Sequence, residues 1–398
     1  MRLSRNRRKL VMSVLAALTV IAGLELMLQA LSLLSERAAM LLAPPWGQVV
    51  ADERLGCRLS PSKADHDANG FRNAVVPNAT VVLALGDSQT YGVGVWRDEA
   101  WPQQLAALGH TTSYNMACGG YGPVHSLILL EEGLKLKPKV VIEALYSGND
   151  LHDAHSLVYR RGQRPELRSP TWKPSGDLQA AKPAEPTPQA TVPPATDARA
   201  TRQLRVFLAE HSKLWGLLRA TKRRLLKVPG PAGDAHPAAD GQAPEVVHGE
   251  AWRTVLTSSY RLSALDLDNP RIVEGHRVAC EAIARMNAMV RKARAHFIVL
   301  LIPTKELVFE EVLRKEGTAV SEGYSRLVRM EQTTWSRTKA WLDKRGIDYV
   351  DALPALRAQL RRGPQPYPED RDGHPNAVGH RTVAELLCSE LKRRNLLR

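Results

Sequence analysis

The sequence predicts an α/β protein, a three-layer sandwich around a central parallel sheet of about five strands, behind one N-terminal transmembrane helix. Three observations predict it. Short apolar runs alternate with helix-length amphipathic segments in residues 81–150 and again from residue 270. That order, strand then helix then strand, is the pattern of a parallel sheet with crossover helices. The apolar runs end in small and turn residues, among them Gly86-Asp87-Ser88, Cys118-Gly119-Gly120 and Ser147-Gly148-Asn149. Finally, residues 10–34 are apolar apart from Ser, Thr, Glu25 and Gln29.

That apolar segment is 25 residues long, enough to cross a bilayer. Arg2, Arg5, Arg7, Arg8 and Lys9 precede it, in a basic N-terminus of residues 1–9. Such a cluster favours an N-terminus left in the cytoplasm. The expectation is a single-pass anchor in the inner membrane with the bulk of the chain on the periplasmic side. A cleaved signal peptide is the rival reading, but the stretch is long for one and its small-x-small cleavage signal is poor. Glu25 stands either near the outer interface or against another membrane helix.

The 398 residues carry a net charge of +14. No zinc-finger spacing, aromatic-interleaved basic stripe or RNA-binding signature accompanies it, so nucleic acid is not an expected partner. An anionic lipid surface explains the charge better. None of the four cysteines forms a C-x-x-C pair, which argues against a zinc site or redox dithiol. An oxidising compartment would permit disulfides among them. Cys118 and Cys280 read as small core residues.

Residues 35–80 read as a lead-in from the membrane, with Pro44-Pro45 closing the helical region and a turn at 70–73. The first part of the domain, 81–163, opens with a buried strand at 81–85. A helix at 96–108, a strand at 112–116, a helix at 124–136 and a strand at 140–146 follow. An insertion spans 164–250. Its first stretch, to residue 200, holds eight prolines and too little apolar surface to order itself. An amphipathic helix at 202–227 with eight Lys/Arg is either a cap packed on the domain or a helix lying on anionic lipid. Residues 228–250 read as a second linker. The second part, 251–398, offers helices at 271–294, 324–344, 353–360 and 377–393, and strands at 297–302 and 347–350.

The chemistry lies in the loops after the strands. Ser88 ends the first strand, and the carboxyl edge of an open parallel sheet is where ligands sit. A serine hydroxyl becomes a nucleophile when a histidine, oriented by a carboxylate, takes its proton. His374 is the best-placed candidate, with Asp372 two residues before it and Asp370 as the alternative carboxylate. His152 and His155 follow the third strand and compete with it, whereas His380 falls on the last helix as a packing or solvated residue. An oxyanion needs preorganised donors. The Ser88 N–H, an N–H of Gly119-Gly120 and the Asn149 amide all lie at the same sheet edge. Asp87 and Asp150 read as residues that hydrogen-bond backbone in their own loops.

Leu85-Gly86-Asp87-Ser88, Asn115 through Gly120, Gly148-Asn149-Asp150 and Asp372-Gly373-His374-Pro375-Asn376 together resemble the four blocks of the SGNH hydrolases, also called GDSL esterases and lipases. The resemblance covers 81–150 and 270–393. It implies a flavodoxin-like fold, a Ser88–His374–Asp372 triad, Gly120 and Asn149 as oxyanion donors, and no metal or organic cofactor. Two departures stand out. The last block is Asp-x-His where the family has Asp-x-x-His, which leaves Asp372 and Asp370 both open, although membrane-linked relatives such as polysaccharide O-acetyltransferases are similar there. Gln89 replaces the usual Leu or Phe, which should alter packing rather than chemistry. Pro303-Thr304-Lys305-Glu306 also resembles those relatives, with Lys305 and Glu306 either a surface ion pair or a substrate contact. The first expectation is an esterase acting on an acyl ester or acetylated glycan. The second is an O-acetyltransferase that takes its acyl group from a membrane partner, and the third a non-catalytic glycan-binding or scaffold protein.

Overall fold

The computed structural model describes residues 5–42, 49–61, 63–172, 207–208, 211–225 and 244–397. Its centre is a sheet of β1 (Val82–Leu85), β2 (Ser113–Asn115), β3 (Val140–Tyr146), β4 (His296–Ile302) and β5 (Asp348–Asp351). The strands run parallel in the order β2-β1-β3-β4-β5. The chain steps outward from β1 to β2, then returns to the other side of β1 for β3. In such a sheet the crevice opens between β1 and β3, at their carboxyl ends.

Successive side chains of a strand point to opposite faces. All four residues of β1 and all seven of β3 are buried, so both faces of the sheet are covered. The helices used below are, in chain order, α1 (Arg5–Leu34), α2 (Ser88–Tyr91), α3 (Trp101–Leu108), α4 (Pro123–Leu134), α5 (Asp150–His155), α6 (Lys213–Leu225), α7 (Pro270–Lys292), α8 (Lys305–Lys315), α9 (Glu322–Arg345), α10 (Leu353–Arg362) and α11 (Ala377–Arg393), and Glu36–Leu42 and Ser258–Leu265 are short helices besides. α7 packs on α4 and α5, while α11 packs on α3 and α10. Val278, Ile283, Met286 and Val290 of α7 recur at helical spacing and are fully buried. Each such side chain contributes about 1.5–3 kcal/mol of burial.

α1 matches the length and composition of a membrane span over Val11–Leu34, and little of that stretch is buried.

Several elements depart from the sequence expectation. The helix expected at 96–108 is a 3₁₀ turn, Arg97–Glu99, followed by α3, because Ala100 is extended and Pro102 stands in the first turn. α8 was not expected at all. Thr304 caps it by accepting the Leu307 N–H, a signal hidden inside Pro303-Thr304-Lys305-Glu306. The stretch 49–80, read as a lead-in, packs into the domain. Val49–Asp52 and Gly56–Leu59 form an antiparallel hairpin, and Leu55 and Phe71 join the core. Within the expected linker 228–250, Glu245–His248 pairs with Arg253–Leu256. The proline-rich stretch lies mostly outside the described residues, and the expected helix at 202–227 is described only in part, as α6.

α5 and α7 cross closely at Gly275. A Cβ there would lie 2.0 Å from the Leu151 carbonyl oxygen. Gly275→Ala is therefore expected to lower stability by about 1–3 kcal/mol through forced separation of the two helices, read as a lower urea midpoint.

Candidate active site

β1 delivers its chain to Gly86, whose φ of +144° suits glycine. A Cβ there would lie 2.6 Å from Thr90 Oγ1 and 3.1 Å from the Ala144 carbonyl oxygen of β3. Asp87 follows as the cap of α2, its carboxylate accepting the Gln89 N–H at 2.9 Å. Ser88 is thereby fixed, buried, at the first position of α2.

His374 arrives from the loop before α11. Its Nε2 lies 2.9 Å from Ser88 Oγ, and its Nδ1 2.6 Å from Asp372 Oδ1. The Asp372 carboxylate can only accept at that distance, so Nδ1 carries the proton and Nε2 is left to accept the Ser88 hydroxyl. Asp372 Oδ1 also accepts the His374 backbone N–H at 3.0 Å. Burial, the largest influence, pushes the Asp372 carboxyl up. The hydrogen bonds and charge of His374 more than offset it, and the group lies below its ordinary range. Asp370 does not reach the imidazole by any hydrogen bond, and its carboxylate accepts the Asp372 N–H at 2.9 Å.

Gly119 stands close to the serine, since a Cβ on it would lie 3.8 Å from Ser88 Cβ. Gly120 is exposed, in the left-handed region at φ +78°. Asn149 stands at the N-cap position of α5, after the end of β3, with no side-chain cap bond. One N–H of its amide donates to Asp153 Oδ2 at 2.6 Å, which leaves the second N–H. Asp153 was missed from the sequence, although its place four residues after Asn149 at a helix start was a usable signal.

The remaining expected candidates go elsewhere. His152 pairs with Asp153, His155 stacks on Tyr159, and the buried His380 accepts the Trp101 N–H. Asp150 accepts the Tyr146 N–H, a backbone role as expected. Lys305 and Glu306 are neither a surface pair nor exposed to a substrate. Both are fully buried. Lys305 Nζ donates to the carbonyl oxygens of Asp370 at 2.8 Å and Asp372 at 3.0 Å, so it clamps the loop that carries His374. Burial pulls its ammonium down to about 8. Glu306 accepts the N–H and hydroxyl of Thr257.

Ser88 and Gly119-Gly120 open into a cavity of about 660 Å³, with Cys57, Lys63, Tyr121, Asp153 and Arg161 in its wall. Such a volume is typical of small-molecule sites. The segment 49–80 builds much of this wall. Arg72 is buried against Asp65 and donates to the carbonyls of Gly92 and Val95, which fixes the loop after α2. Met40, just beyond α1, lines the same cavity.

With this geometry in hand, comparison with known proteins decides the family. The GDSL-like lipase/acylhydrolase family model matches residues 84–382. The chain belongs to this family. It is an SGNH-type ester hydrolase. No curated protein sequence matches it. Solved structures similar to this GDSL acylhydrolase include an extracellular lipase from Streptomyces rimosus, at 14% identity and TM-score 0.37, covering 78% of this chain and 99% of that one. A GDSL-like lipase from Bacteroides thetaiotaomicron has 11% identity and TM-score 0.33, covering 79% and 88%. A carbohydrate esterase family 2 enzyme from Corynascus thermopiles has 13% identity and TM-score 0.26, covering 80% and 68%.

Behind the site, Glu331 of α9 accepts the Ser147 hydroxyl and the N–H and hydroxyl of Thr304, tying the Asn149 loop to the start of α8. Burial pushes its carboxyl from 4.5 up to about 7, against the pull of those hydrogen bonds. A folded-state value above the unfolded one gives stability that is present below pH 4.5 and lost as pH rises through about 7. The wild-type chain should thus lose up to about 3 kcal/mol relative to Glu331→Gln across that window. Urea midpoints of the two proteins at each pH measure the difference.

Proposed function

We propose that Ser88, His374 and Asp372 act as a catalytic triad that cleaves an acyl or acetyl ester through an acyl-enzyme. The unbroken hydrogen-bonded chain from Ser88 Oγ through the His374 ring to Asp372 carries this reading. Ser88 Oγ attacks the ester carbonyl as its proton passes to His374 Nε2. Asp372 holds the imidazole in the required tautomer and stabilises the imidazolium. The oxyanion is met by the N–H groups of Ser88 and Gly120 and by the second amide N–H of Asn149. His374 then protonates the leaving alcohol, and a water molecule that His374 deprotonates releases the acyl group.

The substrate in this reading is an acyl ester or acetylated glycan taken at a membrane surface. α1 serves as a single-pass anchor, with the basic N-terminus in the cytoplasm and the domain on the periplasmic side. Met40 favours a second reading, transfer of the acyl group from a membrane partner to a glycan hydroxyl, because it brings the segment beyond the anchor into the cavity of Ser88.

A fluorophosphonate should label the wild-type chain and leave Ser88→Ala unlabelled. Folded wild-type protein that takes no label would overturn hydrolysis and transfer alike. Asp372→Asn is expected to lower kcat for nitrophenyl acetate by about 10⁴-fold, whereas Asp370→Asn should not. Asn149→Ala should cost about 10²–10³-fold in kcat.

A further inference from the structure

Glu25 sits inside the apolar stretch of α1, where an unpaired carboxylate is costly. It is not unpaired. It accepts hydrogen bonds from Gln29 Nε2 at 2.7 Å, Ser212 Oγ at 2.8 Å, the Lys213 N–H at 2.7 Å and the Leu214 N–H at 3.0 Å. The last three donors belong to the start of α6. The first N–H groups of a helix have no partner within it, and its dipole favours a negative charge there. Gln29 Nε2 also reaches the His211 carbonyl at 3.2 Å. Farther along, Gly216 lets α6 approach the short helix Glu36–Leu42, since a Cβ at 216 would lie 2.4 Å from the Leu42 carbonyl oxygen. α6 is therefore seated on α1 and on the segment that follows it.

The residues of α6 include Lys213, Arg219, Lys222, Arg223 and Arg224 and no acidic side chain. Leu217 and Leu218 are 41% and 57% exposed. Depth along α1 agrees when Leu10 marks the inner edge of the hydrocarbon. Glu25 lies roughly 22 Å along α1 from Leu10 at 1.5 Å per residue. A hydrocarbon core of about 30 Å then ends about 8 Å beyond it. Interfacial amphipathic helices bury their apolar face about 5–10 Å into the headgroup–acyl boundary.

We propose that α6 lies on the outer surface of the bilayer that α1 crosses, Lys213 and Lys222 toward anionic phospholipid headgroups and Leu217 and Leu218 in the acyl boundary. Glu25 is the socket that holds it there. The inference rests on reading α1 as an anchor. It gives the insertion a task, to fix how the domain stands on the membrane.

The test is amide hydrogen exchange of the full chain in lipid nanodiscs. One set is phosphatidylcholine, the other phosphatidylcholine with phosphatidylglycerol. Exchange across Lys213–Leu225 should be slower by about tenfold or more in the anionic discs, with the difference abolished by high salt or by Lys213→Glu with Lys222→Glu. Glu25→Gln should speed exchange there in both kinds of disc, as the helix loses its socket. A chain retained in both discs with equal exchange across α6 overturns the proposal alone. A chain that does not enter the discs overturns the anchor reading, and the proposal with it.

Discussion

A single buried ammonium grips the loop on which the site depends. Lys305 Nζ donates to two carbonyl oxygens, those of Asp370 and Asp372, and Asp372 in turn accepts both the backbone N–H and the ring N–H of His374. The loop has no regular structure of its own to fix it. At its far end Asn376 caps α11 by accepting the N–H groups of Val378 and Gly379. Between the clamp and the cap, His374 is placed within 2.9 Å of Ser88 although 286 residues separate them in the chain. Burying an ammonium costs several kcal/mol unless good partners meet it, and here the partners are the loop itself.

The sheet below the site also buries ionisable groups. Glu143 of β3 is fully buried, and burial pushes it to about 8. It is held neutral at physiological pH, which costs far less than a buried charge. Glu331, at the back of the Asn149 loop, is likewise raised by burial, to about 7. Rigid placement of Ser88 and Asn149 thus comes with carboxyls whose burial weakens the fold, an exchange of stability for position common at active sites.

The α1 end of the molecule follows the same logic with the opposite sign. Glu25, a liability in an apolar helix, becomes an asset once the N-terminus of α6 docks on it. Arg37 of the following helix pairs with Asp98 and stacks over Trp96. The apolar helix and the domain are thereby joined through polar contacts rather than by a linker alone.

The five strands and the three strand-end loops of the site were legible in the sequence. β1, β4 and, but for Glu143, β3 are continuous apolar runs, as buried parallel strands are, and glycine stands in the turns after β1, β2 and β3. Ser88, Asn149 and His374 stood out through the order of their blocks, which resembles that of the SGNH hydrolases, since each block alone reads as an ordinary turn. What the sequence left open was settled by tertiary contact. Asp372 rather than Asp370 faces the imidazole, because Lys305 turns the loop and Asp370 bonds the Asp372 N–H instead. Lys305 itself read as half of a surface ion pair or as a substrate contact, because a clamp on backbone carbonyls leaves no pattern in side-chain spacing. Residues 49–80 read as a lead-in because a short hairpin of mixed polarity shows its role only when packed against the cavity. Local sequence determined which groups exist and at which strand ends they stand. Long-range packing decided which of them meet, because no periodicity encodes the distance between loops far apart in the chain.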